Sequence, residues 1–223
     1  MRSLLTPLLL LLVVGLGFTG DVATFENLGF NDGGRVFVFG QYGLRSEGAT
    51  PFADIFAVDV PGNRFLANGV FTVSSDAPIV LGQDGRGAFY TAFARAQPLL
   101  SREGVNHFQT GRLIYFLADR NASPARLGFR DFNTQSRYDI VLRQSNRGSG
   151  SSVSAEFHIE MTRSVNNATR TYTIGRPGFF RDGVESYRIA QVIVGPDEAS
   201  IVIVVERLSP DGSIRYMVET TRL

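Results

Sequence analysis

Gly29–Gly43 reads GFNDGGRVFVFGQYG. A turn cluster, Asn31-Asp32-Gly33-Gly34, runs into four apolar residues, Val36 to Phe39, and a second break follows at Gly40. Turn chemistry against a short Val/Phe run is the pattern of a strand entering a packed sheet. The motif has an echo, VGPDEASIVIVVE, at Val194–Glu206, where Pro196-Asp197-Glu198 turns the chain into the apolar run Ile201–Val205. A shift of about 164 residues superimposes the two turns, and a slip of one residue in that alignment exchanges the faces of the strand. Two copies of one strand–turn–strand unit stand at opposite ends of the chain. They point to architecture, not chemistry.

Working outward, Val22–Leu28, Val36–Phe39, Ala53–Val60 and Phe65–Val73 are spaced as one antiparallel meander, with Pro61-Gly62-Asn63 as a turn. Gly85–Arg102 breaks the series. Ala88, Phe89, Ala92, Phe93, Ala96, Leu99 and Leu100 share one face of a helix. Pro98 is expected to kink that helix or end it early. Strands resume at Leu113–Leu117, Leu127–Phe132 and Tyr138–Leu142. Ser145–Ser152 (SNRGSGSS) has no apolar residue and reads as a loop or hairpin tip. Val153–Arg163 alternates cleanly, with Val153, Ala155, Phe157, Ile159 and Met161 on one side, as a half-buried strand does. Thr171–Ile174, Tyr187–Val194, Ile201–Val205 and Ile214–Val218 complete a mainly β chain of antiparallel strands in packed sheets, with one amphipathic helix near 86–102.

The chain has 223 residues, 43% hydrophobic and 19% charged, which places it among globular proteins. It has no Cys, no Trp and no Lys, so all 22 basic residues are Arg. Its N-terminus has Arg2, an apolar run from Leu8 to Val14, and then GLGFTG before Asp21. That is the pattern of a secretory leader, too short for a membrane span of about 20 residues. Residues 1–20 are therefore expected to be a signal peptide with an open cleavage point, and 21–223 one exported domain with no stable membrane span. Without Arg2 the chain has 21 Arg against 21 acidic residues, a balance of zero that speaks against nucleic-acid binding. A rival reading uses Gly15, Gly17 and Gly20 as the G-x-G-x-x-G of a dinucleotide-dependent enzyme. It lacks an acidic residue after Val36–Phe39 and lacks crossover helices.

No cofactor or metal site is expected: His107 and His158 are the only histidines. Glu156, His158 and Glu160 share the polar face of one strand, about 7 Å apart, a spacing open to acid–base work and equally to a solvated sheet face. Asp84, Asp182 and Asp211 precede Gly and read as turn residues. The loop Gly175–Gly183 (GRPGFFRDG) stands out, because Phe179 and Phe180 lie between Arg176 and Arg181 in a Gly/Pro-rich connection. Such rings either plug the core or face outward to stack on a ligand. Tyr42 raises the same choice. Tyr42, Arg176, Phe179, Phe180 and Arg181 are the candidate ligand-binding residues, and no catalytic residue is assigned.

GDVATFENLGF, RVFVFGQYG, the strand ending AVDV, and SYRI followed by IRYMVET resemble a bacterial family of unknown function described as predicted secreted proteins. The resemblance runs from about Gly20 to Thr220. It implies export, to the periplasm or beyond the cell, and carries no known activity. The family's usual turn, Ser-Pro-Asp-Gly, is replaced here by Asn31-Asp32-Gly33-Gly34 and by Pro196-Asp197-Glu198. That turn is also similar to those of TolB-type propeller blades, of which two instances are recognised. These observations favour a non-enzymatic envelope or extracellular protein that binds a partner through loops at strand ends. A secreted hydrolase using Glu156 and Glu160 is the second class, and a nucleotide-dependent enzyme built on residues 15–20 the third.

Overall fold

The structure, a computed structural model, describes residues 20–119 and 121–223. The expected leader and the glycines Gly15 and Gly17 lie outside the described residues. In chain order the elements are β1 (Thr24–Asn31), β2 (Val36–Leu44), β3 (Pro51–Asp59), β4 (Arg64–Ser74), α1 (Arg86–Arg102), β5 (Val105–Asn106), β6 (Arg112–Phe116) and β7 (Arg126–Asp131). There follow β8 (Ser136–Arg147), β9 (Ser154–Val165), β10 (Ala168–Gly175), β11 (Arg181–Asp182), β12 (Ser186–Val194), β13 (Ser200–Leu208) and β14 (Ile214–Arg222).

They form three antiparallel sheets. The first has the order β4-β3-β2-β1-β5, the central one β14-β13-β12-β6, and the third β10-β9-β8-β7, with β11 beside β9. The sheets stack in series with α1 on the outside. Ala88, Ala92, Ala96 and Leu100 pack against Val38, Ile55 and Ala57 of the first sheet. Phe37 and Phe39 of the opposite face meet Val202, Val204 and Tyr216 of the central sheet. Ile201, Ile203 and Val205 then meet Ile140, Phe157, Ile159 and Met161 of the third. Strands β2 and β13 are covered on both faces, which is why their sequences run apolar without alternation. β9 has one face outward and alternates as expected.

The two echoing turns touch. The Ser200 hydroxyl donates to the Gly34 carbonyl at 2.8 Å. Gly34 has φ +64° and no room for a side chain, since a Cβ there would stand 2.6 Å from the Asp197 carboxylate. The repeat thus brings the first and central sheets together at one end.

Two expectations need correction. Pro98 lies inside α1, which continues to Arg102 because Leu99 and Leu100 are buried against the first sheet. Burial of that last turn outweighs the lost backbone bond. A third turn of the recognised type, Ser209-Pro210-Asp211-Gly212, also joins β13 to β14, with the Gly212 amide donating to Ser209 and the Ser213 amide to Asp211. Asp211 is the turn residue its context indicated. The parallel sheet with crossover helices that a dinucleotide site requires does not occur among the described residues. Gly20 instead packs on the Gly212–Ser213 backbone.

Candidate functional site

The central sheet carries two neighbouring cross-strand rows of opposite character. In one, Arg188 of β12, Glu206 of β13 and Tyr216 of β14 stand side by side. Arg188 donates to the Glu206 carboxylate, and the Tyr216 hydroxyl donates to its other oxygen at 3.1 Å. That row is electrically closed. One residue along, the row is Tyr187, Arg207 and Arg215. Two guanidinium groups directly opposite one another destabilise a ladder unless an anion joins them. No acid stands in this row.

Arg215 finds one from outside. It reaches over the Phe52 ring, 3.9 Å from the ring centre, and donates to the Asp21 carboxylate at 2.9 Å. Arg207 does not. Its Nε is a buried donor with no hydrogen-bond partner among the described residues, a state that costs about 1–3 kcal/mol when nothing else meets it. Burial holds its pKa below the usual guanidinium range; Tyr187 and the Asp54 carboxylate oppose this, while the neighbouring charges of Arg215 and Arg181 push the same way as burial. Arg181, arriving from β11, also has a buried unpartnered atom, Nη1. Its guanidinium is held among three rings, 4.9 Å from Phe179, 5.3 Å from Phe157 and 6.0 Å from Tyr187. Such contacts fix a cation in place without neutralising it.

These three arginines line a cleft of about 310 Å³ where the β14 edge meets the first and third sheets. Its other wall is apolar: Phe39, Phe56 and Phe65 stack in series, with ring centres 4.8 and 5.2 Å apart. Phe65 is half exposed. Asp54 also lines the cleft, but Thr72 and Gln41 already donate to its two oxygens. Gln41 in turn accepts from the Tyr216 amide, tying the β14 edge to the first sheet. A second cavity, beside Val22, Phe25, Phe116 and Ala190, includes only Glu206 as a charged group, and that carboxylate is occupied as described.

Of the residues the sequence singled out, Arg181 lines the cleft, and Phe179 lies between the guanidinium groups of Arg176 and Arg181, 5.2 and 4.9 Å from its ring centre. Phe180 is half-buried under Arg147, 4.0 Å from the guanidinium. Phe180 is thus half-buried and Phe179 exposed. Tyr42 is not part of this site. It lies on the helix side of the first sheet, against Phe89, with its hydroxyl accepting from Arg86. Glu156 accepts from Ser145 and from the Gly178 amide, and Glu160 from Arg143, along the polar face of the third sheet. Neither has a second carboxylate as a described partner. Arg207, Arg215 and Glu219 were not signalled in advance.

Glu219, on β14, is buried beside Asn63, whose amide donates to it, and Gly175 passes 3.3 Å from its carboxyl carbon (measured from where a Cβ would be). Burial pushes its pKa up, against the Asn63 hydrogen bond and the Arg181 charge. A carboxyl with a raised folded-state pKa contributes fully below its unfolded value of about 4.3 and loses that contribution as pH rises through the folded value. Glu219→Gln should therefore be more stable than wild type at pH 7, with the gap closing as pH falls towards 4. Urea unfolding between pH 4 and 8 checks this, and a gap independent of pH would refute it.

The arrangement defines a class: a mainly antiparallel β protein of stacked sheets whose cleft offers guanidinium donors beside phenyl rings. The chain belongs to the family of predicted secreted proteins designated DUF2259, whose model matches residues 38–222. It is accordingly an exported protein. No curated protein and no solved structure matches it.

Proposed function

We propose that this exported chain is a non-enzymatic envelope or extracellular binding protein, and that it takes its ligand in the cleft between Arg181, Arg207 and the phenyl wall. The observation that supports this is the unclosed row, Tyr187–Arg207–Arg215. A fold that closes the adjacent row internally keeps this one open beside a cavity, and departures from local rules concentrate at functional positions. Loop 176–180 adjoins the cleft through Phe179, which lies 4.9 Å from the Arg181 guanidinium.

The test uses the exported protein and a small-molecule extract of the envelope that contains it. A ligand at about 100 times its Kd stabilises by about 2.7 kcal/mol. That corresponds to about 5–10 °C for a domain of this size. The extract should raise the melting temperature of wild type by that amount and leave Arg207→Gln unmoved, with every extract component recovered unaltered. No shift would refute binding, and consumption of a component would refute the non-enzymatic reading in favour of a hydrolase.

A further inference from the structure

We infer that the ligand is a small organic oxyanion, a carboxylate, sulfate or phosphate ester carried on a flat apolar body. The inference rests on the binding reading above and adds the chemistry of the ligand. Three observations converge on it. The buried Nε of Arg207 and Nη1 of Arg181 are guanidinium donors with no acceptor among the described residues, which suits a ligand group that accepts hydrogen bonds and carries negative charge. The carboxylates nearby each have another partner: Asp54 accepts from Thr72 and Gln41, Asp21 pairs with Arg215, and Glu219, whose charge acts on Arg181, accepts from the Asn63 amide. The opposite wall is the phenyl series Phe39–Phe56–Phe65, with Phe65 left half exposed. An inorganic ion would satisfy the guanidinium groups and leave that wall in water. A neutral apolar molecule would cover the wall and leave the donors unmet. A ligand with both parts satisfies each, and a cleft of about 310 Å³ suits one of modest size.

The adjacent row supplies the internal comparison. There the carboxylate of Glu206 sits between a guanidinium and a tyrosine hydroxyl. In the cleft the oxyanion would lie beside Arg207 and Arg181, provided from solution rather than by the chain. Arg181, held by Phe179, Phe157 and Tyr187, approaches from the third sheet and restricts where the charged end can lie.

Isothermal titration with phenyl phosphate, benzoate, inorganic phosphate and benzyl alcohol tests this, together with the arginine Nε–H resonances of the 15N-labelled protein. Phenyl phosphate or benzoate should bind at least ten-fold tighter than inorganic phosphate and benzyl alcohol, weaken with added salt, and shift the Arg207 Nε–H. Arg207→Gln and, separately, Arg181→Gln should each weaken binding ten-fold or more. Arg126→Gln, at an exposed pair with Asp139, should not. Since the Nε–H shift is read on wild type, a misfolded variant does not spare the inference. Vesicles containing phosphatidylglycerol distinguish a lipid headgroup: binding to them alone would overturn the small-ligand form. Benzyl alcohol binding as tightly as the anions would overturn the charge requirement. If the envelope extract stabilises the protein while none of the anions binds, the binding reading survives and the oxyanion falls. If neither acts, both fall.

Discussion

Ile203→Asp and Val204→Asp should each abolish folding, although they are adjacent in one strand and point in opposite directions. Ile203 lies in the core shared with the third sheet and Val204 in the core shared with the first, and both are fully buried. Each substitution forfeits about 1.5–3 kcal/mol of apolar burial. It also leaves a buried charge without a partner, worth about 3–5 kcal/mol more. The sum approaches the whole stability of an ordinary domain, about 5–15 kcal/mol. Strand β9 supplies the control. Phe157→Asp should be equally damaging, whereas His158→Asp, on the outer face of the third sheet, should keep the fold. Circular dichroism and resistance to trypsin read the outcome. Tolerance of either β13 substitution would mean that the central sheet has a wet face, and the three-sheet stack would be wrong.

That pair of substitutions also shows what a sequence can say about such a stack. β9 announces its faces because water on one side forces polar residues into alternate positions. β13, enclosed by two sheets, has no such constraint, and IVIVV carries no mark of which residue faces which neighbour. The helix was legible from the spacing of Ala88, Ala92 and Ala96, but the effect of Pro98 was not, because tertiary burial of Leu99 and Leu100 decided it. The site was legible in one residue. Arg181 stood out through the composition of its loop, whereas Tyr42 was drawn in by its glycine neighbours and lies on the other face of its sheet. Alternation makes Gln41, not Tyr42, the residue that lines the cleft. Arg207 and Arg215 meet only through hairpin register. The signal that could have found them is the Ser209-Pro210-Asp211-Gly212 turn, which sets those two positions opposite one another. Recognising that turn would have placed like charges face to face and exposed the anomaly.

The closed row makes the second large prediction, and it bears on why the open row is informative. Glu206→Ala should lower the unfolding free energy by about 3–5 kcal/mol. The carboxylate is nearly inaccessible, and its removal takes from Arg188 an ion-pair partner and from Tyr216 a hydroxyl acceptor. Arg188→Met should cost a similar amount, because it leaves the Glu206 carboxylate buried beside the first sheet without its counter-ion. The double variant Arg188→Met/Glu206→Leu should recover most of the loss, since apolar groups of similar volume commonly replace a buried ion pair at little net cost. Urea denaturation of the four proteins closes the thermodynamic cycle. A coupling energy above about 2 kcal/mol means the two side chains act as one unit, whereas additive losses would mean that each is held by other neighbours. If they are coupled, the fold demonstrably needs an acid next to a guanidinium at this depth in the central sheet. One residue further along, on the opposite face of β13, Arg207 is partly buried and shares its cleft with Asp54, but no acid stands beside it in its own cross-strand row.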